Sequence, residues 1–349
     1  MRVLHLISSS GVYGAEKMVV GLCEALPQHG VDAVLEVFDN THSRNVDVAG
    51  YADSFGVPVR LLPCGGRFDP RTVRRLRRDI ADQEVDLVHA HGYKANLYGF
   101  LATRAGVPIV ATNHRFDTGP LNRFDKPVLR RFAAVYAVSD EARDSLRDVY
   151  GIADALTIPN GIDPRSFQDV PATLDLPRPL VAMVARLAPE KAPGDYLAVA
   201  AALPEAAFAV VGDGPMRAEL AAAATSNVHF LGFRDDMPGV YASLDVLVQP
   251  SYREGMPMTI LEAMASGVPV VATRVGAAAD VIEEGRTGLL VDAGDVAGLT
   301  RAVHSLLADE PLRITMGQAA RTAVAEQFTV GVMAGRYARE YRKVLAESR

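Results

Sequence analysis

The chain has 349 residues, 49% of them apolar and 22% charged, which suits about two packed domains and excludes a disordered chain. Its two cysteines, Cys23 and Cys64, have no metal-type or redox-motif partner nearby, which predicts reduced thiols in a cytoplasmic enzyme. The net charge of −6 belongs to the second half: 20 basic and 20 acidic residues precede position 166, and 16 and 22 follow it. No nucleic-acid-binding face is predicted, and no apolar run of about 18 residues predicts a membrane span.

The opening MRVLHLISSSG has too short an apolar stretch for a signal peptide and reads as a first strand. Apolar runs predict strands at 3–8, 33–38, 57–61, 86–90, 109–112 and 135–139, with helix-like spacing between them, as in 15–26 and 95–105. Alternation of this kind predicts βαβ units and a parallel sheet. The segments PNGIDP (159–164) and 169–179, rich in proline and polar residues, predict a linker. Strands then resume at 180–184, 208–212, 228–231, 244–248, 268–272 and 288–291. The fold expected is α/β, two tandem Rossmann-like doubly wound parallel-sheet domains, 1–166 and 167–331, with ligands at the carboxyl ends of the strands.

Candidate residues lie at those ends. Gly11, Tyr13 and Gly14, in GVYGAE, follow the first strand and open a helix; glycines there let backbone amides approach an anion or simply make a tight turn. His89, His91 and Tyr93 lie in VHAHGYKAN, and at least one of the two histidines reads as structural. His114 and Arg115 follow the strand PIVAT, where an imidazole can donate to a hydroxyl or shuttle a proton. With no third zinc-type ligand at usable spacing along the chain, no metal site is predicted. The basic stretch RFDPRTVRRLRR, from Arg67 to Arg78, as a helix puts Arg71, Arg74, Arg75 and Arg78 on one side. That stripe suits anionic lipid headgroups, each basic residue adding about 1 kcal/mol, unless Asp69, Asp79, Asp82 and Glu84 pair with it. Basic residues and Phe116, Phe124 and Phe132 around 115–132 make an acceptor loop touching lipid or polymer conceivable.

In the second half, Arg186 and Lys191 in ARLAPEK can hold phosphate oxygens, or can pair on the surface with Glu190 or Asp195. Gly212 and Gly214 make a strand-to-helix turn, and Phe233 and Arg234 close the next strand, Phe233 being equally suited to a core. The richest stretch is QPSYREGMPMTILEAM, where a polar loop (249–256) leads to Pro257 at the expected first helical position. Glu254 in the loop and Glu262 in the helix have seven residues between them, and the helix carries the second carboxylate about 7–8 Å along its axis. Between them stands a helix N-terminus, suited to phosphate. Two hydroxyl-seeking carboxylates astride an anion site fit a nucleotide sugar.

The segment E-GMPMTIL-E, followed by AMASGVPVVAT, resembles the Glu-x7-Glu signature of the family 4 retaining glycosyltransferases. Arg186 and Lys191 match that family's R-x4-K pair, although the glycine it commonly carries after the lysine is Ala192 here. The resemblance implies a GT-B fold with an interdomain cleft and a last helix, 332–349, packing back on the first domain. Carried over, it assigns Glu262 to ribose hydroxyls and Glu254, Gly255, Met256, Pro257, Met258 and Thr259 to the donor sugar and its phosphates. Arg186 and Lys191 then face the diphosphate, Gly14, Gly212, Gly214, Phe233 and Arg234 line the nucleotide, and Gly11, Tyr13, His91, Tyr93 and Arg115 lie on the acceptor side. His114 contacts sugar or acceptor, and His114, Glu254, Arg186 and Lys191 form the catalytic set. The chain has no Asp-x-Asp pair, so no metal or other cofactor is expected. The implied activity is retaining transfer of a hexose-type sugar from a nucleoside-diphosphate sugar to a saccharide, lipid-linked saccharide or small molecule. A role in cell-surface polysaccharide or glycolipid synthesis, at the inner face of the membrane, follows as an expectation. A nucleotide-sugar epimerase of the same build, or a silent nucleotide-sugar-binding partner, are the alternatives.

Overall fold

The computed structural model describes residues 1–348 apart from 10, 42–45, 67, 104–105 and 115–121, with 122–124 described by backbone alone. The chain divides into two compact units, Met1–Gly161 with Val330–Arg349, and Ile162–Thr329.

The first unit runs β1 (Arg2–Ile7), α1 (Gly14–Ala25), β2 (Asp32–Asn40), α2 (Asp47–Ser54), β3 (Val59–Cys64), α3 (Pro70–Asp82), β4 (Leu87–His91), α4 (Tyr93–Ala102), β5 (Ile109–Asn113), α5 (Asn122–Leu129), β6 (Ala134–Ala137), α6 (Asp140–Ser145) and β7 (Leu156–Thr157). Its seven strands are parallel, in the order β3-β2-β1-β4-β5-β6-β7. Helices cover both faces, so β1 is apolar on both: Val3 and Ile7 pack with α1 and α2, Leu4 and Leu6 with α3 and α4.

The second unit runs β8 (Leu180–Val184), α7 (Pro193–Ala202), β9 (Ala207–Val211), α8 (Arg217–Ala223), β10 (Val228–Gly232), α9 (Met237–Ala242), β11 (Val246–Gln249), α10 (Met258–Ala265), β12 (Val270–Thr273), α11 (Ala278–Val281), β13 (Gly288–Val291), α12 (Val296–Ala308) and α13 (Glu310–Gln327). Its parallel order is β10-β9-β8-β11-β12-β13. The last helix, α14 (Val330–Glu347), belongs to the first unit, where Met333, Ala334, Tyr337, Ala338, Tyr341 and Val344 form one buried stripe against α1 and the sheet.

Several boundaries differ from the sequence expectation for local reasons. β11 begins at Val246, not 244, because the Asp245 carboxylate accepts Leu180 N at 2.8 Å and the Arg178 guanidinium at 3.0–3.1 Å. β12 begins at Val270 because Pro269 has no N–H for the ladder. The two-residue edge strand β7 was too short to show alternation. In each sheet the strand order reverses once, between β1 and β4 and between β8 and β11, and ligands of this architecture collect outside the carboxyl ends there.

Candidate active site

The loops after β8 and β11 meet at the second unit's switch point. Glu254 is 7% exposed, and its Oε1 accepts hydrogen bonds from Gln249 Nε2 and Ser251 Oγ, both at 2.6 Å. Lys191 Nζ reaches both carboxylate oxygens at 2.7 Å. Glu254 is therefore no solvated loop charge. It is a buried carboxylate held by a cation and two neutral donors, the arrangement that makes such burial tolerable. Gln249 is fixed in turn, since Thr259 Oγ1 donates to its Oε1 at 3.3 Å. Thr273 Oγ1 donates to Ser251 O at 2.5 Å, tying the loop to β12.

Arg186 takes a different partner. Two-thirds exposed, it donates to Glu190 Oε1 at 2.6 Å, the surface pairing weighed from sequence. Glu190's own backbone amide and then Arg186 hold its carboxyl below the usual range. Its carbonyl accepts Tyr252 N at 2.9 Å, stitching the two loops together. Asp195 accepts the Tyr252 hydroxyl at 2.9 and 3.1 Å.

Glu262 lies inside α10, 7% exposed, and its Oε2 accepts the Tyr241 hydroxyl at 2.8 Å. Burial, and then the nearby Glu262 charge, push the Tyr241 phenol well above its ordinary range, so it stays a donor. Glu262 is therefore no ordinary helix-surface residue. Helix α10 starts one residue later than expected: Pro257 is the extended residue before it, at φ −72° and ψ 113°, and Met258 is the first helical residue. Met256, Pro257 and Met258 are buried, with Gly255 and Thr259 half-buried.

Backbone crowding shapes the loops. A Cβ on Gly212, whose φ is 125°, would sit 2.0 Å from Ala185 O, and one on Gly214 would sit 2.4 Å from Leu187 O. Both glycines thus let the segment carrying Arg186 lie against the β9 turn, which Leu187 N→Asp213 O at 3.0 Å secures. Gly276, at φ 58°, does the same for the β11 loop: its Cβ would lie 2.5 Å from Glu254 O, and Ala277 N donates to Gly255 O at 2.8 Å. Ala192 sits at φ 49° and ψ 47°, the left-handed region that favours glycine. The loop keeps the glycine-type shape despite the alanine. Phe233 is 80% exposed, which overturns the core alternative for it. Arg234 pairs bidentately with Asp236 at 2.6 and 2.7 Å, an interaction that holds the Asp236 carboxyl far below its usual range.

In the first unit, Gly14 is the first residue of α1, and Tyr13, 61% exposed, donates its backbone N–H to Glu16 Oε2 at 3.1 Å. Gly11 N donates to Ser9 Oγ at 3.0 Å. A Cβ on Gly11 would lie 2.8 Å from Tyr13 Cε2, so any larger residue there would have to displace that ring. His91 ends β4, Tyr93 opens α4 half-buried, and His114 follows β5. His114 Nε2 lies 3.2 Å from His91 Nδ1, and His91 Nε2 lies 3.1 Å from His5 Nδ1. His89 is the structural member: fully buried, it contacts the Tyr341 hydroxyl at 2.6 Å and Thr112 Oγ1 at 2.8 Å. Arg115 and Phe116 lie outside the described residues, as does the side chain of Phe124.

Chain spacing missed His5. Sheet pairing sets it beside His89 in register, so ring nitrogens of His5, His89 and His91 fall within 4.8 Å of one another. A third nitrogen ligand is thus present, contrary to the spacing argument. Both nitrogens of His89 and of His91 already have hydrogen-bond partners, so of the six ring nitrogens of the three histidines it is His5 Nε2 that has none among the described residues. Gln249, Ser251, Tyr241 and Gly276 also escaped the sequence reading.

The arginine stretch forms α3, and Arg71, Arg74, Arg75 and Arg78 line one depression of about 480 Å³ with Asp79 and Asp82. Among the described residues none of the four arginines makes an ion pair, and Asp69 instead caps the helix by accepting Arg71 N at 2.9 Å. Arg67 lies outside the described residues. Among those described, no helix is long and apolar enough to cross a membrane.

Residues 12–166 match the family described as Glycosyltransferase Family 4, and residues 178–309 the one described as Glycosyl transferases group 1. A 2-deoxystreptamine glucosyltransferase of Streptomyces kanamyceticus is 31% identical over 76% of this chain and 79% of its own. A phosphatidyl-myo-inositol mannosyltransferase of Mycolicibacterium smegmatis is 32% identical over 86% of this chain and 82% of its own. Among solved structures, Anabaena HepE in complex with UDP and glucose superposes with a TM-score of 0.83 at 22% identity, covering 98% of this chain and 100% of its own, and shares the fold.

Proposed function

Because the chain belongs to glycosyltransferase family 4, and is a glycosyltransferase of GT-B fold, we propose that it moves a hexose-type sugar from a nucleoside-diphosphate sugar with retention at the anomeric carbon. The observation that carries the reading is the pair of buried carboxylates before and within α10, Glu254 ion-paired to Lys191 and Glu262 bonded by Tyr241. Charged groups are kept this dry where a ligand needs them in one place. Glu262 takes the ribose hydroxyls, and Glu254 with Gly255–Thr259 takes the sugar. Lys191, already at the carboxylate, and Arg186 at the loop surface take the diphosphate and steady its charge as it leaves. Phe233, Arg234 and the Gly212–Gly214 turn border the nucleotide. His114, with Gly11, Gly14, Tyr13, His91, Tyr93 and Arg115, serves sugar or acceptor. In retaining transfer the departing phosphate oxygen takes the acceptor's proton, so no separate base is required. With Arg186 and Lys191 on the diphosphate and no Asp-x-Asp pair in the chain, we assign the reaction to a metal-free mechanism.

The acceptor is a hydroxyl of a saccharide, lipid-linked saccharide or small molecule, and cell-surface glycan synthesis at the cytoplasmic face is the setting proposed. The relatives named above are a 2-deoxystreptamine glucosyltransferase and a phosphatidyl-myo-inositol mannosyltransferase, which supports a small-molecule or a lipid-linked acceptor. Arg71, Arg74, Arg75 and Arg78 of α3, which make no ion pair among the described residues, favour contact with anionic lipid, and α3 is assigned that role. A thermal-shift screen against UDP-, GDP- and ADP-hexoses tests the donor assignment: one nucleotide class should stabilise the protein, Lys191→Ala should abolish that and Arg75→Ala should preserve it. No response to any nucleotide sugar would refute it. Flotation with phosphatidylglycerol vesicles tests the second, and binding unchanged on replacing the four arginines by glutamine would refute it.

A further inference from the structure

The two cations assigned to the diphosphate each sit on a carboxylate of the second unit, and the two pairs differ in kind. Lys191 Nζ donates to both oxygens of Glu254, with 23% and 6% of the two side chains exposed. Arg186 Nη2 donates to Glu190 Oε1 at 2.6 Å, with 66% and 38% exposed. These four groups carry no net charge among them, so a diphosphate gains a full cation only by drawing one from its carboxylate. Withdrawing Lys191 would strand a buried carboxylate, so Lys191 keeps Glu254 while it serves an anion. Arg186 can exchange, because an exposed pair of this kind holds its partners together by a factor of only about 2–5.

The backbone is fixed on both sides of the exposed pair, which confines the exchange to side chains. Leu187 N donates to Asp213 O at 3.0 Å next to Arg186, and Tyr252 N donates to Glu190 O at 2.9 Å. Glu190 also stays ionised, its carboxyl held below the usual range by its own backbone amide and by the guanidinium.

We propose that Glu190 is a positioning residue that competes with the diphosphate for Arg186: it holds the guanidinium when no nucleotide is bound, yields it to the donor and takes it back as the product leaves. The need is greatest after transfer. In the donor the terminal phosphate is esterified to the sugar and carries one charge. Once that bond breaks, the same phosphate has a second ionisation at about pH 6, so the product grips a guanidinium more strongly than the donor did. A carboxylate one helical turn from Arg186 offsets that excess and lets the product go.

The inference rests on assigning Arg186 to the diphosphate, and the two fail separately. Isothermal titration calorimetry of the full chain with UDP, GDP and ADP reads both. Binding of none of the three, or unchanged affinity in Arg186→Gln, would sink the assignment itself. For the diphosphate that binds, Glu190→Gln should tighten binding about 2–5-fold, and Glu190→Ala should shift it in the same direction. The gain should vanish when Arg186→Gln is already present. Unchanged or weaker binding in Glu190→Gln overturns the competition, since a merely structural role for Glu190 would weaken binding when lost. An equal gain in the Arg186→Gln background overturns it too, because Glu190 would then act on the phosphates without Arg186.

Discussion

Lys191 and Glu254 are one unit at the residue scale, since neither charge is comfortable without the other. Removing the cation alone, in Lys191→Met, leaves a carboxylate 7% exposed with only Gln249 and Ser251 as donors. The loss should be about 1–3 kcal/mol, below the range for fully buried pairs because Lys191 keeps 23% of its side-chain surface in water. Adding Glu254→Gln should recover part of it, and urea denaturation of both variants checks this; additive losses would show that the ion pair is not coupled. Ala192 makes the opposite case. A left-handed alanine costs about 1–2 kcal/mol and a glycine's extra freedom in the unfolded chain about 0.5–1, so Ala192→Gly should stabilise by about 0.5–1 kcal/mol. A destabilised Ala192→Gly would mean that the φ of 49° carries no strain. Charged residues in the loops after strands are legible in a sequence because they follow apolar runs, and Arg186, Lys191 and Glu254 are found that way, Glu262 by its seven-residue spacing from Glu254. Gln249, Ser251 and Tyr241 are not, because common polar residues acquire their meaning only from the carboxylate they touch.

Elements were legible wherever an apolar run faced helices on both sides, so that eleven of the thirteen strands among the described residues fall within two residues of their expected bounds at each end. What chain order could not show is pairing across the sheet: β1 brings His5 to His89, and β2 brings Glu36 under α3. Glu36 is 1% exposed, its Oε2 has no hydrogen-bond partner among the described residues, and Gln83 Nε2 stands 3.5 Å from Oε1. Burial, reinforced by Asp79, raises its carboxyl from the ordinary 4.5 to about 7. Between those values the folded chain holds a proton that the unfolded chain has released, so stability falls as pH rises through that window. The difference corresponds to at most about 3 kcal/mol. Glu36→Gln cannot ionise and should lose that decline, seen by comparing denaturant midpoints at pH 5 and pH 8. The same decline in the variant would place its origin elsewhere.

For the whole molecule, the decisive fact is that the second unit is an insertion and the first is discontinuous. Ile162 pairs with Thr329, and Ile162 N donates to Phe328 O at 2.9 Å, so the second unit's ends are already tied side by side. Among the described residues, the core cluster that packs β8, β9, β11 and β12 with α7, α8, α12 and α13 lies wholly within 162–329. The first unit lacks that independence. Tyr341 satisfies His89, Tyr337 satisfies Thr112 at 2.9 Å, and Met333 and Val344 add apolar burial worth about 1.5–3 kcal/mol each, all from a helix at the far end of the chain. Without α14, His89 and Thr112 would lose these partners inside an exposed apolar face, a cost near the stability of an ordinary domain. Residues 162–329 expressed alone should therefore unfold cooperatively on heating, followed by circular dichroism. Residues 1–161 alone should show no such transition and regain one only when 330–349 are supplied through a short linker. A cooperative transition in 1–161 by itself would mean that α14 is an appendage, and the hydrogen bonds from Tyr337 and Tyr341 would then carry little of the first unit's stability.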